Sequence, residues 1–362
     1  MPYNWQQPDW PHFRYDLSGL EAALLQFADK AGQVSGLLRA LPEGAQIEAV
    51  IDVMIAEALK TSEIEGEYLS RDDIRSSIRN QMGLNARPET IKDKASQGAA
   101  ELMVSVHNTW REPLDAEMLF SWHRMLMKGR KGIVVGGWRE HGRPMQVISG
   151  GKRLKVHFEA PPSARVPAEM AAFIEWFNAS EREIKHAPVR SGIAHLYFES
   201  IHPFEDGNGR IGRALSEKAL SQGLNRPALL SLSQTIEANK SAYYDALKKA
   251  QTFSDATGWL RYFAGITVEA QSAAEKQVEF VLLKTRLFDL YEDQLNDRQK
   301  RVVQRMLEEG PGGFEGGMNA RKYIAITKTS KATATRDLQG LVEIGVLVPL
   351  GQGRSARYEL KL

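Results

Sequence analysis

Apolar residues recur at steps of three and four along most of this chain, the spacing that lines one face of an α-helix. Between residues 17 and 81 the pattern is helical, with Leu20, Leu24 and Leu25 on one face and a second helix over about 47–65 that Gly66 terminates. The same periodicity predicts helices over 92–108, 116–127 and 167–178, and over 189–200, where Ile193, Leu196, Tyr197 and Ser200 share a face. A new helix starts near Asn208 and runs through Ile211, Ala214, Leu215, Lys218 and Ala219 to Gly223, and others cover 234–250 and 256–291. One block, 136–162, breaks the helical rhythm. There Met145, Gln146, Val147 and Ile148, a turn of Ser149, Gly150, Gly151 and Lys152, and the run from Leu154 to Phe158 predict a hairpin of two short strands. The opening residues Trp5, Pro8, Trp10, Pro11, Phe13 and Tyr15 predict an extended strap laid on a helical body.

Beyond residue 296 the pattern shortens to a helix over 297–309, a glycine-rich loop, helices over 318–326 and 331–345, and a terminal hairpin. This reads as a winged helix, with Ser330 to Leu338 opening a recognition-type helix and Val346-Leu347-Val348 and Tyr358-Glu359-Leu360 flanking the wing. The predicted organisation is therefore mainly α: an N-terminal helical region (1–90), a helical core with a small β-hairpin (91–255), a helical connector (256–295) and a winged-helix domain (296–362). Charge sharpens the last assignment, because 296–362 holds twelve Lys/Arg against seven Asp/Glu, or +5 of a formal net charge of +2 for the chain. Duplex DNA would meet Lys331, Thr333, Thr335 and Arg336 in the major groove and Arg354 and Arg357 on the backbone. A protein-docking or dimerising module fits the same pattern equally well.

At 362 residues, 43% hydrophobic and 25% charged, the composition is that of an ordinary globular protein of two or three domains. No apolar stretch is long enough to span a membrane, and no secretory leader opens the chain, so a cytoplasmic protein is expected. The absence of cysteine excludes disulfides, thiolate metal sites and cysteine nucleophiles.

The candidate chemistry is concentrated in His202-Pro203-Phe204-Glu205-Asp206-Gly207-Asn208-Gly209-Arg210-Ile211-Gly212-Arg213. A helix N-terminus preceded by glycine offers free backbone N–H groups and the positive end of a dipole, a natural phosphate site. Gly207, Asn208 and Gly209 suit that cradle. Arg210 and Arg213, three apart on the first turns, reach one phosphate chain together. Asp206 adds a hard oxygen ligand of the kind magnesium shares with substrate phosphates. His202, at the far edge of the loop, is placed to accept a proton from an incoming hydroxyl. A capping loop with surface salt bridges is the plain alternative for any one of these residues, but it does not call for all of them together.

The run resembles the Fic motif His-Pro-Phe-x-Asp/Glu-Gly-Asn-Gly-Arg-x-x-Arg at every fixed position, and the surrounding helices resemble a Fic core over about 100–255. The resemblance implies transfer of AMP from ATP to a Ser, Thr or Tyr hydroxyl of a target protein, or of the chain itself. By it, His202 is the base, Asp206 holds Mg2+, Gly207 to Gly209 cradle phosphate oxygens, and Arg210 and Arg213 meet the β- and γ-phosphates. It also makes the hairpin strand Met145, Gln146, Val147, Ile148 and Ser149 a flap on which a target docks as an added strand. Tyr243 and Tyr244 with Gln251 resemble the family's nucleoside-side pattern, with Gln in place of the usual Asn.

A second signal lies upstream. Ile51, Ile55, Ala58, Ser62 and Glu65 advance in helical steps, so Glu65 emerges on an apolar face while Glu63 and Glu67 point elsewhere. A carboxylate there needs a partner, and an arginine of the motif is one candidate. Thr61-Ser62-Glu63-Ile64-Glu65-Gly66 resembles the Fic inhibitory pattern Ser/Thr-x-x-x-Glu-Gly of class II members, which implies that Glu65 pairs with Arg213 and excludes the γ-phosphate. The same resemblance leaves room for Glu65 to support AMP removal. Two other readings of the core stand beside this one: transfer of another phosphate-containing group, and a DNA-binding regulator whose core only senses nucleotide. His123, His186 and His195 stand singly, without metal-ligand spacing, and are assigned no role.

Overall fold

The computed structural model describes residues 2–149, 155–351 and 356–361. Gly150, Gly151 and Lys152 of the predicted turn, Leu154 of the predicted second strand, and Arg354 of the predicted wing lie outside the described residues. Contacts divide the chain into two compact units, Met1–Gly32 with Val50–Ser272, and Gln33–Ala49 with Ala273–Leu362. In chain order the helices are α1 (Glu21–Ala40), α2 (Glu43–Ile64), α3 (Arg71–Gln81), α4 (Lys94–Thr109), α5 (Ala116–Leu126), α6 (Val166–Glu183), α7 (Ala187–Ile201), α8 (Asn208–Leu224), α9 (Leu232–Ala238), α10 (Lys240–Ala250) and α11 (Thr257–Tyr291). The strands β1 (Gln146–Ser149) and β2 (Lys155–Glu159) stand between α5 and α6. The fold is mainly α, with β1 and β2 forming a two-stranded sheet of their own.

The centre of the first unit is α7. Periodicity predicts a single buried face for it, whereas all of its fifteen residues are buried. The cause is its small side chains: Ser191, Gly192 and Ala194 let neighbours close in on every side, and a Cβ at Gly192 would fall 2.9 Å from Leu260 and 3.1 Å from Phe263. α8 packs along α7, so the loop joining them is held at both ends by the best-packed pair in the unit. Leu20, just before α1, and Leu24 on it are buried as expected, but Leu25 is 74% exposed. It lies one position past Leu24, about 100° around the helix, and Phe27 and Ala31 complete the buried stripe instead.

The aromatic opening is a strap: Trp5 Nε1 donates to Glu159 O at 2.7 Å, Trp10 Nε1 donates to Glu169 Oε2 at 2.8 Å, and Arg14 N donates to Ser254 O at 2.9 Å. It pins the base of the hairpin, α6 and the α10–α11 turn to one body. β1 and β2 pair antiparallel, Gln146 opposite Glu159 and Ile148 opposite Val156, with an irregularity between Val147 and Ile148.

The second unit carries α12 (Asp297–Leu307), α13 (Ala320–Thr327), α14 (Lys331–Glu343) and an antiparallel pair, β3 (Leu347–Leu350) with β4 (Arg357–Leu360). Its core gathers Val302, Val303, Met306, Met318, Tyr323, Leu338, Leu341 and Val346. Asp337 fixes the helices mutually, accepting from Arg298 Nε at 2.8 Å and from the Tyr323 hydroxyl at 2.9 Å. Burial works against its charge, yet those two donors hold its carboxyl below the ordinary value.

Candidate functional site

α7 ends at His202, whose φ of 52° and ψ of 60° turn the chain left-handed, and α8 opens after Gly207 at φ 80°. The six-residue loop between them, 202–207, is braced from three directions. Asn208 Oδ1 accepts from Phe204 N and its Nδ2 donates to Phe204 O, both at 2.9 Å. Phe204 is fully buried and stacks on His123 at 4.2 Å. His123 Nδ1 accepts from Gly136 N at 2.9 Å, which leaves Nε2–H to donate to Asp206 O at 3.2 Å. Burial lowers the His123 pKa and favours this neutral form.

The third brace is Arg139, 1% exposed and facing no carboxylate among its hydrogen-bond partners. Its guanidinium donates to His202 O at 2.8 Å, Ser163 Oγ at 2.9 Å and Pro161 O at 2.5 Å, and its N–H donates to Pro203 O at 2.9 Å. Burial pulls its pKa down to about 10. One side chain thus joins the His202 loop to the segment that leaves the hairpin.

The two motif arginines are buried at the start of α8, Arg210 at 3% and Arg213 at 1% exposure. Arg213 Nε donates to Thr61 Oγ1 at 2.7 Å, and its Nη2 donates to Thr61 O at 2.9 Å and Glu65 Oε1 at 2.7 Å. Glu65 lies directly on the motif backbone, since a Cβ at Gly209 would fall 2.2 Å from Glu65 Oε1. Burial opposes the Arg213 charge, but Glu65 foremost holds the guanidinium above its ordinary value. Arg210 Nη1 donates to Glu67 Oε2 at 2.6 Å and Nη2 to Asp206 Oδ1 at 3.3 Å, while the other Glu67 oxygen meets Arg130. The expectation that Glu67 points away from the motif is therefore corrected. α2 stops at Ile64, and Glu67 N bonds back to Ser62 O at 2.9 Å around Gly66, so helical periodicity no longer sets its direction. Arg213 Nη1 and Arg210 Nε are buried without acceptors. Buried guanidinium N–H groups left unpaired beside a helix N-terminus are an anion-receptive arrangement.

Asp206 is 45% exposed at its side chain, with Oδ1 engaged by Gly207 N at 2.6 Å. Among the described residues no three His, Cys, Asp or Glu side chains gather as a metal cage. One half-exposed carboxylate fits a magnesium ion completed by substrate phosphates and does not fit a protein-enclosed transition metal. Beside His202, Glu199 Oε2 lies 3.5 Å from Nδ1. Burial raises the Glu199 pKa, but His202, His195 and Arg213 outweigh it and keep the carboxyl below its ordinary value. Glu199, His123 and Arg139 carry no local signal in the sequence; each acts through a contact 3 to 83 positions away.

The nucleoside-side trio separates. The Tyr243 hydroxyl is 2.8 Å from His195 Nε2, Gln251 Nε2 donates to Glu199 O at 3.2 Å, and both residues are buried. Tyr244 alone presents its ring, at 38% exposure, with Lys240 Nζ 5.8 Å from its centroid. Of the three, the other two side chains are committed to internal hydrogen bonds. On the hairpin, Ile148 and Val156 are 49% and 43% exposed, Phe158 is buried against Tyr3, and Met145 O accepts from Ala160 N at 2.9 Å. Among the described residues, the two-stranded sheet gives the outer edge of β1 no strand partner.

Residues 113–220 match the Fic/DOC family, and residues 3–84 match a family described as a domain of unknown function, DUF4172. The chain thus carries a Fic/DOC domain, and its mainly helical body with a small flap is a Fic fold. It is similar to the protein adenylyltransferase Fic of Nematostella vectensis, 21% identical over 73% of this chain and 58% of that protein. A probable protein adenylyltransferase of Aquifex aeolicus is 32% identical over 39% of this chain and 38% of that one. The chain thus spans well under two thirds of the length of these relatives. In structure it is similar to a Fic family protein of Desulfovibrio desulfuricans, TM-score 0.53 at 21% identity, covering 94% of this chain and 96% of that one. A Fic domain containing signaling protein of Bacteroides thetaiotaomicron gives 0.54 at 18%, covering 71% and 97%. No described helix is long and apolar enough to cross a membrane.

Proposed function

We propose that this chain is a nucleotidyltransferase that moves AMP from ATP to a Ser, Thr or Tyr hydroxyl of a target protein, or to itself, and that Glu65 inhibits it in cis. The observation that carries the reading is the buried Arg210 and Arg213 pair at the N-terminus of α8, beside His202 and engaged by Glu65 and Glu67. The relatives named protein adenylyltransferase support the same chemistry. The target oxygen bonds to the α-phosphorus, the bond to the β-phosphate oxygen breaks, pyrophosphate leaves, and the hydroxyl proton goes to His202. The backbone of Gly207, Asn208 and Gly209 would cradle phosphate oxygens, and Arg210 and Arg213 would carry the charge of the leaving group. Asp206 would hold Mg2+, which screens the phosphates when bound. Tyr244 would border the nucleoside, with Tyr243 and Gln251 supporting it from behind. Gln146, Val147, Ile148 and Ser149, led in by Met145, would pair with the target's backbone.

Glu65 takes the guanidinium that the γ-phosphate needs. Its ion pair with Arg213 represents a charge-assisted hydrogen bond of about 1.5 to 3 kcal/mol. At about 1.4 kcal/mol per tenfold, Glu65→Gly raises AMP incorporation roughly 10- to 100-fold. Labelled ATP and the mass of the modified protein measure this, with His202→Ala as the inactive control. No added AMP in Glu65→Gly, or a different added mass, overturns the reading. Loss of AMP from modified protein only when Glu65 is intact would add the removal reaction to its role.

For the second unit we propose a winged helix that binds duplex DNA, rather than a dimerising module. The exposed side chains of the first ten residues of α14 are Lys331, Ala332, Thr335, Arg336 and Gln339, and the segment's one acid, Asp337, is turned inward onto Arg298. Steeply salt-dependent retention of a DNA duplex is the expected result; no retention at low salt refutes it.

A further inference from the structure

The buried carboxylate of Glu199 has no stated use in AMP transfer. It is 5% exposed, Oε1 has no hydrogen-bond partner, and Oε2 faces His202 Nδ1 at 3.5 Å, an atom that is itself buried without a hydrogen bond. An ionised carboxylate in such a place is costly unless a proton-bearing group answers it. Space for it is built into the motif: a Cβ at Gly212 would fall 2.7 Å from Glu199 Oε1 and 3.3 Å from His195 Cε1. The charged and titratable groups that act on this carboxylate, besides His202, are His195 on α7 and Arg213 on α8, and it acts in turn on Tyr243 and Tyr244 of α10. His195 is committed to Ser216 and Tyr243, and Arg213 uses Nε and Nη2 on Thr61 and Glu65, while His202 Nδ1, at 3.5 Å, is the ring nitrogen that faces Glu199 Oε2.

We infer that Glu199 is a positioning residue that holds the neutral His202 ring with its proton on Nδ1, leaving Nε2 as the base for the attacking hydroxyl. One proton moves in the step, from hydroxyl to Nε2; the Nδ1 proton stays on the ring and Glu199 stays a carboxylate that stabilises the imidazolium formed. The left-handed backbone of His202, fixed by Arg139, places the ring back over its own helix end, where Glu199 one turn earlier can reach it.

This inference rests on the AMP-transfer reading, and its test separates the two. Nitrogen NMR of the histidines in the full chain, with His202→Ala to assign the signal, reads the tautomer without any activity. The expected result is an Nδ1–H tautomer in the intact chain. An Nε2–H tautomer overturns the inference whatever the activity. In the Glu65→Gly background, Glu199→Gln is expected to lower kcat about 10- to 100-fold. KM for ATP should change less than twofold, while the acid limb of the pH profile moves to lower pH. Glu199→Asp restores that limb, which a merely structural role would not do. If Glu65→Gly transfers no AMP, the transfer reading fails while the tautomer measurement still decides the role of Glu199.

Discussion

Two acids two positions apart, Glu65 and Glu67, each take one motif arginine. Release of Glu65 alone therefore leaves Arg210 held by a 2.6 Å ion pair whose arginine is 4% exposed at its side chain. Adding Glu67→Gln to Glu65→Gly is expected to raise AMP incorporation a further threefold to tenfold, roughly the worth of one partly exposed charged contact. Equal rates for the single and double variants would place Arg210 outside the limiting interactions. Glu65 was legible because it continues the steps of Ile51, Ile55, Ala58 and Ser62; Glu67 was not, because Gly66 at φ 83° ends that frame. His123, Arg139 and Glu199 were illegible for a different reason. A single polar residue on a helix or loop acquires meaning only from what the fold brings to it.

At the scale of elements, hydrophobic period and turn chemistry placed the helices and the hairpin closely, since capping residues mark their ends. Ser330, Asn296 and Asp115 each accept from N–H groups of the helix they open. Depth of burial was less legible: α7 shows one apolar face in its sequence yet is enclosed on all sides, because small residues carry no signal of how closely a neighbour will approach. The helix predicted over 234–250 is interrupted at Asn239, whose side chain accepts from Ala242 N to start α10. In α14, Arg336 is exposed while its neighbour Asp337 is buried. If α14 is a recognition helix, Arg336→Ala costs about 1 to 3 kcal/mol of specific affinity and relaxes the sequence preference at one position. Affinity and preference unchanged by this variant would take Arg336 out of the DNA contact.

Over the whole molecule, the chain folds two of its own carboxylates, Glu65 and Glu67, onto the motif arginines. Glu65 and the motif belong to one unit, together with the strap, α8 and residues 50–64 of α2. On the proposed reading Glu65 is a resident competitor of ATP rather than a dissociable one, and a tethered group competes at an effective concentration of millimolar or more. The consequence is about control by supply. Raising free ATP through the millimolar range is expected to leave the intact chain nearly silent, while Glu65→Gly saturates within it; a titration of AMP incorporation against ATP compares the two. If Glu65 inhibits as proposed, such a protein ignores the energy state of its surroundings and answers to whatever can lift α2 from Arg213.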